Sequence, residues 1–479
     1  MRFATSILIA ATMGCALLGL SSEARAEDRI KPYGENPFYW QYQGEPVLLL
    51  GGSWQDNLFN HPDGLEEHLD TLAEAGGNYV RNTMSTREPG NLWPFVEVED
   101  GLFDLDQLNE PYWERFEAFL DLTLERDIIV QIEVWDPHDY HADPNIGWRV
   151  NPFNPLNNVN YTAGESGLPE TVDHRPGPEP TPHPMWRTPP TLDDNPLVLG
   201  YQKAIVDRML DIAMPYPHVL YCMSNEMGER HEWSDYWAAH IHARASEAGF
   251  EVYVSDMRRN EDVSHPDHRH MYSKPDLYTF VDVSQNNTHS GQLHFDRIQF
   301  VRDQLNDHGV RPINHNKIYS IRGGHSEAIQ RFFRIVFGGG ASARFHRPYP
   351  IEDAGQMYAE TRWGLGLHPT AQQAIRSARM AADAFPLVNT EPRKDLLEDR
   401  EPNEAYCLAQ PGEAYAVYFP NGGQVALDVS AAQGRPLDVR WLDISHSEWR
   451  EPRNIDAAET LELTAPSEDH WAVLVLVRQ

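Results

Sequence analysis

The residues of this chain best placed for chemistry are Asn225 and Glu226, which end an apolar run, His218-Val-Leu-Tyr-Cys-Met-Ser. A carboxyl group at the end of a buried strand loses water, which raises its pKa toward neutrality and suits it to general acid catalysis. The same dipeptide also fits the start of a helix, with Asn225 as cap and Glu226 in the first turn. The elements on either side decide between these readings.

Those elements alternate. From residue 46, short apolar runs are followed by amphipathic stretches, which implies βα units around a parallel sheet. Strands are expected at 46–52, 78–82, 128–135, 218–224, 250–255, 280–284, 311–314 and 341–345, with helices at 64–75, 113–126, 197–212, 233–248 and 328–337. Eight strands with intervening helices predict a (β/α)8 TIM barrel over residues 27–390, closed by a helix at 370–384. In that architecture chemistry gathers at the C-terminal strand ends, so Glu226 reads as catalytic. A Pro- and Asn-rich insertion at 136–190 follows the third strand, where long insertions usually form loops over the active face. The charged stretch 391–404 is expected to be a linker. Residues 405–479 change to a period of two, as in Ala414-Tyr-Ala-Val-Tyr-Phe, and predict a small antiparallel β-sandwich.

Residues 1–26 read as a secretory signal peptide: Arg2, an apolar run at 7–20, and Ala24-x-Ala26. The run is too short to span a bilayer, so the mature chain is expected to be secreted or periplasmic without a membrane anchor. The formal charge of −33 argues against nucleic acid or an anionic membrane as partner. Cys222 and Cys407 are expected to be buried free thiols. Gly338-Gly-Gly340 follows a helix and reads as a turn, so no phosphate loop and no cofactor is expected. Asp136-x-His138-Asp139-x-His141 matches no structural zinc spacing, and His265-x-Asp267-His268-x-His270 reads as part of a Pro-containing loop, so no metal is expected either.

Reading off the strand ends collects the residues that would meet at one mouth. They are Ser53, Trp54 and Asp56; Arg81 and Asn82; Trp135, Asp136 and His138; Asn225 and Glu226; Asp256 and Arg258; Gln285, Asn286 and Asn287; His315, Asn316 and Lys317; and His346 with Arg347. Singly, each is best explained as a cap or a loop residue. Together they follow eight consecutive strands.

Gly77-Asn-Tyr-Val-Arg81-Asn82, Tyr112-Trp-Glu-Arg-Phe116, the third strand ending Val-Trp-Asp136 and the fourth ending Asn225-Glu226 resemble clan-A retaining glycoside hydrolases. More closely, Pro46-Val-Leu-Leu-Leu-Gly, the eighth-strand segment and Tyr415-Ala-Val-Tyr-Phe-Pro are similar to the apiosidase-like family. Its members join a (β/α)8 barrel to a C-terminal domain labelled as collagen-binding. The resemblance implies Glu226 as acid/base, Asn225 as a contact to the sugar 2-hydroxyl, and Arg81 as an electrostatic brace.

One departure stands out. The clan places a nucleophilic Glu at the end of the seventh strand, where this chain reads Pro312-Ile-Asn-His-Asn-Lys317, and no carboxylate lies between Asp307 and Glu327. Asp256 and Asp136 are the first candidates to substitute, ahead of Asp56 and Glu133. Glu327 folding back, or loss of hydrolysis, are the alternatives. Lys317, Arg258, Arg344 and Arg347 also put cations near the mouth, where they would either suit an anionic sugar or pair with local carboxylates. The expected function is an exported O-glycosyl hydrolase acting on a plant or algal polysaccharide or oligosaccharide. The alternative is a carbohydrate-binding barrel without activity.

Overall fold

The computed structural model describes residues 29–88, 90–142, 147–173, 183–320, 323–346 and 364–478. The expected signal segment and Arg347 lie outside them. Eight parallel strands carry the first part of the chain: β1 (Leu49–Gly52), β2 (Tyr79–Thr83), β3 (Ile129–Trp135), β4 (Val219–Ser224), β5 (Val254–Ser255), β6 (Val281–Asp282), β7 (Ile313–Asn314) and β8 (Ser342–Phe345). Six of them form a sheet in the order β5-β4-β3-β2-β1-β8, and β6 pairs with β7. Further backbone hydrogen bonds join the two sheets. Phe280 N donates to Val254 O at 3.4 Å, and Ala341 N and Arg344 N donate to Ile313 O and His315 O at 2.8 and 3.1 Å.

Helices α1 (Leu65–Glu74), α2 (Glu110–Leu124), α3 (Pro196–Ala213), α4 (His231–Ala248), α5 (Pro266–Tyr272), α6 (Gly291–His308), α7 (Gly324–Phe337) and α8 (Pro369–Ala384) alternate with the strands. The chain is therefore mixed α/β. β1 to β4 are buried at every position, which is why β1, β3 and β4 read as near-continuous apolar runs rather than as alternation. The close pairing of β1 with β2 depends on Gly51, where a Cβ would come within 1.9 Å of the Tyr79 carbonyl oxygen.

Several details differ from the expectations. Residues 45–47 belong to a separate small sheet with 31–32 and 40–42, so β1 starts later than expected. The segment 95–108 is a β-hairpin. His265 caps a helix, α5, rather than standing in a loop. The expected linker at 391–404 is paired chain. Its strand β9 (Glu391–Pro392) joins β11 (Tyr406–Gln410), and its strand β10 (Leu397–Glu398) joins β13 (Gln424–Asp428). Charge and proline made this stretch read as a linker, but both pairs are two-residue edge pairings that tolerate such residues.

The C-terminal region is antiparallel. One sheet runs β9-β11-β12-β18-β14-β15, from β12 (Ala414–Phe419), β14 (Pro436–Asp443), β15 (Glu448–Trp449) and β18 (Trp471–Val477), with β16 (Arg453–Asp456) also on β14. A second sheet is β10-β13-β17, with β17 at Thr460–Thr464. One face of the first sheet shares an apolar core with the second. Its other face, through Tyr406, Leu408, Ala416, Tyr418 and Leu474, joins the core of the α/β part.

Helix α7 lies between these parts, and every residue from Ala328 to Phe337 is buried, as a helix covered on all sides must be. Phe332 stacks on Phe345 of β8 at 4.6 Å, and Phe333 stacks on Tyr418 of β12 at 5.3 Å. Cys222 and Cys407 are both buried free thiols, as expected.

Replacing Gly51 by Ala forces β1 and β2 apart. The variant is expected to lose at least about 1–3 kcal/mol of stability, the usual cost of overpacking a tight core, read by urea unfolding against wild type.

Candidate functional site

β4 delivers Asn225 and Glu226 to the C-terminal end of the parallel strands. The backbone on each side is tied down: Asn225 N donates to Trp135 O at 2.8 Å, and Met227 N donates to Met257 O at 2.9 Å. Between these anchors Glu226 adopts φ +63°, the left-handed region that a β-carbon disfavours. Such a conformation costs about 1–3 kcal/mol and persists only where neighbours impose it, most often at functional sites. The Glu226 side chain is 20% exposed, so it faces an opening.

Its partner is Lys317, which replaces the expected seventh-strand carboxylate. Lys317 Nζ donates to Glu226 Oε1 and, at 2.6 Å, to Asn225 Oδ1, and its side chain is 1% exposed. A rigid segment presents it. His315 N donates to Ser342 Oγ at 2.9 Å, Asn316 N to Ser284 Oγ at 2.6 Å, and Arg344 Nη1 to Asn316 O at 2.7 Å. Below lies a polar floor in which Gln131 Nε2 donates to Asp282 at 2.8 Å and Asn314 Nδ2 donates to Gln131 at 3.0 Å.

This pairing corrects the expected acid. Burial pushes the Glu226 carboxyl up, but Lys317, His138 and a hydrogen bond from Gln285 outweigh it and hold the group well below the usual carboxylate range. Glu226 is therefore ionised at rest. Glu133 shows the opposite balance: burial pushes it up to about 7 against Arg81 and Lys317.

The other candidates divide into those near an opening and those spent on structure. Asp136 forms an ion pair with Arg87 at 2.9 Å and a hydrogen bond with His138 at 2.9 Å. Asp256 accepts from Ser224 Oγ at 2.5 Å and faces Arg258 Nη1 at 3.4 Å. Both are almost fully buried, although Asp136 also lines a small cavity with Thr86, Trp93, Trp135 and Tyr140. Arg81, expected as an electrostatic brace, binds Asp56 and lies 3.5 Å from Glu133. Asp56 is bound by both Arg81 and Arg87. Arg87, which bridges Asp56 and Asp136, went unread because it lies in a loop without a motif. Glu327 pairs with Arg334 on its own helix, so it does not fold back.

Trp135 was expected at the sugar, but it packs among Trp186, Trp233 and Trp237, with centroids 5.3–6.4 Å away. The Asn82 side chain accepts from Leu58 N at 2.8 Å, and Asn286 Nδ2 donates to His294 O at 2.9 Å; both are buried supports of loop backbone. Arg258 is tied to Asp256, Asp267 and Glu229 O. Buried Arg344 donates to Ser53 Oγ, and burial lowers its pKa to about 9. His346 is buried, with its ring 4.7 Å from Tyr319 and Nε2 3.9 Å from Asp56. His138 is 29% exposed and Trp54 is 47% exposed beside His68. These two, with Asn225, Glu226, Gln285 and Lys317, are the expected residues that the geometry leaves near a mouth. Among the described residues no three His, Cys, Asp or Glu side chains converge as metal ligands, and no helix is long and apolar enough to cross a membrane.

Residues 392–478 match the family described as "Putative collagen-binding domain of a collagenase". A comparison with curated protein sequences gives no match. Among solved structures the chain is similar to a glycoside hydrolase at 12% identity and TM-score 0.66, over 95% of this chain and 98% of that one. It is also similar to a glycoside hydrolase family 5 protein from Bacteroides vulgatus at 14% identity and TM-score 0.65, over 95% and 94%. At such identities the likeness is one of fold. The fold is that of glycoside hydrolases across nearly the whole described chain.

Lys317→Met leaves Glu226 with burial and no adjacent ammonium, so its titration is expected to move above the ordinary carboxylate value, read by carboxyl carbon NMR. In wild type the depressed pKa contributes stability above the unfolded value of ~4.3 and loses it as pH falls through that range. The variant is expected to lose about 3 kcal/mol at neutral pH. That deficit shrinks as pH falls, because a protonated Glu226 needs no counter-charge.

Proposed function

We propose that the protein is an exported glycoside hydrolase in which Glu226 is the catalytic carboxylate, on a (β/α)8 barrel followed by a C-terminal β-sandwich. The observation that carries this reading is Glu226 itself. A partly exposed carboxylate stands in a strained backbone conformation at a parallel strand end, charged by a buried lysine. The hydrogen bonds that link each parallel strand to the next support the barrel, and the two solved glycoside hydrolases support the class. The match at 392–478 supports the domain pairing seen in the apiosidase-like family, the more specific resemblance.

Because Glu226 rests as a carboxylate, its first act is that of a base or nucleophile at the anomeric centre, and it becomes an acid only after it has taken a proton. Lys317 fixes that starting state, and Asn225 fixes Lys317. Trp54 is placed to stack on the apolar face of a sugar ring. The substrate is a plant or algal polysaccharide or its oligosaccharides.

A second reading is sugar binding without hydrolysis. It is favoured by the burial of Asp56, Glu133, Asp136 and Asp256, none of which offers a free second carboxylate. Release of sugar from aryl glycosides and polysaccharides by wild type, and its fall by about 10²–10⁴-fold in Glu226→Gln, is the expected result. Equal release by the two proteins sinks the assignment of Glu226. Binding by calorimetry with no release from either protein selects the second reading.

A further inference from the structure

Among the described residues, the cations that the sequence placed at the mouth are engaged. Lys317 is neutralised by Glu226, Arg258 by Asp256 and Asp267, and Arg344 is buried on Ser53 and a carbonyl. The neighbouring residue is different. Arg259 follows Arg258 in the loop after β5, and its N donates to Met227 O at 3.1 Å, immediately beside Glu226. Its stem lies along Gly228, where a Cβ would be 3.6 Å from Arg259 Cδ. The guanidinium makes no ion pair or hydrogen bond among the described residues and is only partly buried. Burial lowers its pKa, while Glu226 and Glu261 pull it back up.

An unpaired, partly dehydrated guanidinium is unusual in a chain with a formal charge of −33, where carboxylates outnumber cations. Its planar fork matches the oxygens of a carboxylate or a sulfate. Glu226 does not take that place: Lys317 and Gln285 hold it, and no ion pair joins it to Arg259. We propose that Arg259 is a specificity residue that binds an anionic substituent of the sugar, a uronate carboxylate or a sulfate, next to Glu226. This rests on Glu226 marking the sugar site. It does not require that bonds be cleaved there.

The test is calorimetric and uses the full mature chain with three probes of equal length: oligogalacturonate, sulfated galactan oligosaccharide and neutral galactan oligosaccharide. Wild type is expected to bind one charged probe about 10- to 100-fold more tightly than the neutral one, and which charged probe binds identifies the anion. Arg259→Gln is expected to erase that preference, and Arg259→Lys to keep part of it, with thermal melts confirming that both variants fold. Added salt is expected to reduce the wild-type preference. Equal affinity of wild type for charged and neutral probes, or a preference that survives in Arg259→Gln, overturns the proposal. Because the readout is binding, a protein that hydrolyses nothing but prefers the anion loses only the hydrolase reading.

Discussion

The ion pair between Lys317 and Glu226 sets the terms for the rest of the site. Taking an ammonium out of water costs several kcal/mol unless a counter-charge and hydrogen bonds replace the lost hydration. Glu226 and Asn225 are that replacement, and neither has freedom to move away. The 315–317 segment is held by Ser284, Ser342 and Arg344, while the chain at 225–227 is held by β3 and by the segment after β5. Two rigid backbones thus bring opposite charges together from β4 and β7. The contrast with Glu133 shows what the lysine does, since that more deeply buried carboxyl, with Arg81 3.5 Å away but no ammonium in contact, is pushed up rather than down.

Beside this pair runs a second charged array, Asp56 with Arg81 and Arg87, and Asp136 with Arg87 and His138. Its charges alternate, so it is close to self-neutralising. It fixes the loops after β1, β2 and β3 to one another. Charge compensation on that side, and an uncompensated guanidinium on the β5 side, give the mouth a polarity that net charge alone does not convey.

The fold was legible wherever burial was complete. β1, β3 and β4 are largely apolar along their length because both faces are covered, and that pattern survives in one dimension. β5, β6 and β7 shrink to two residues each, so Phe250 falls outside β5 and Phe280 outside β6 although their positions were correctly read. Residues 391–404 were misread because an edge pairing of two residues leaves no periodic trace.

In the site, residue type at a strand end located Glu226, Asn225 and Lys317. It could not say where side chains point. Trp135 and Trp54 are both aromatics at strand ends, yet one lies in a tryptophan cluster and the other faces solvent. Arg258 and Arg259 are adjacent and alike in one dimension, and only packing separates the bound guanidinium from the unbound one.

The docking of the C-terminal sheets has a practical consequence of another kind. One face of the larger sheet is committed to α7, through Phe333 on Tyr418, and polar contacts seal its margin, with Arg334 donating to Asn403 at 3.0 Å and Ser377 to Ile444 O at 2.8 Å. The region is therefore not a portable tether. Excised, it would show water an apolar sheet face, and a chain cut before it would bare the buried aromatic face of α7. Whatever these sheets contribute, they contribute as masonry in the wall of the larger unit, and grafting them onto another protein would carry the exposed joint along.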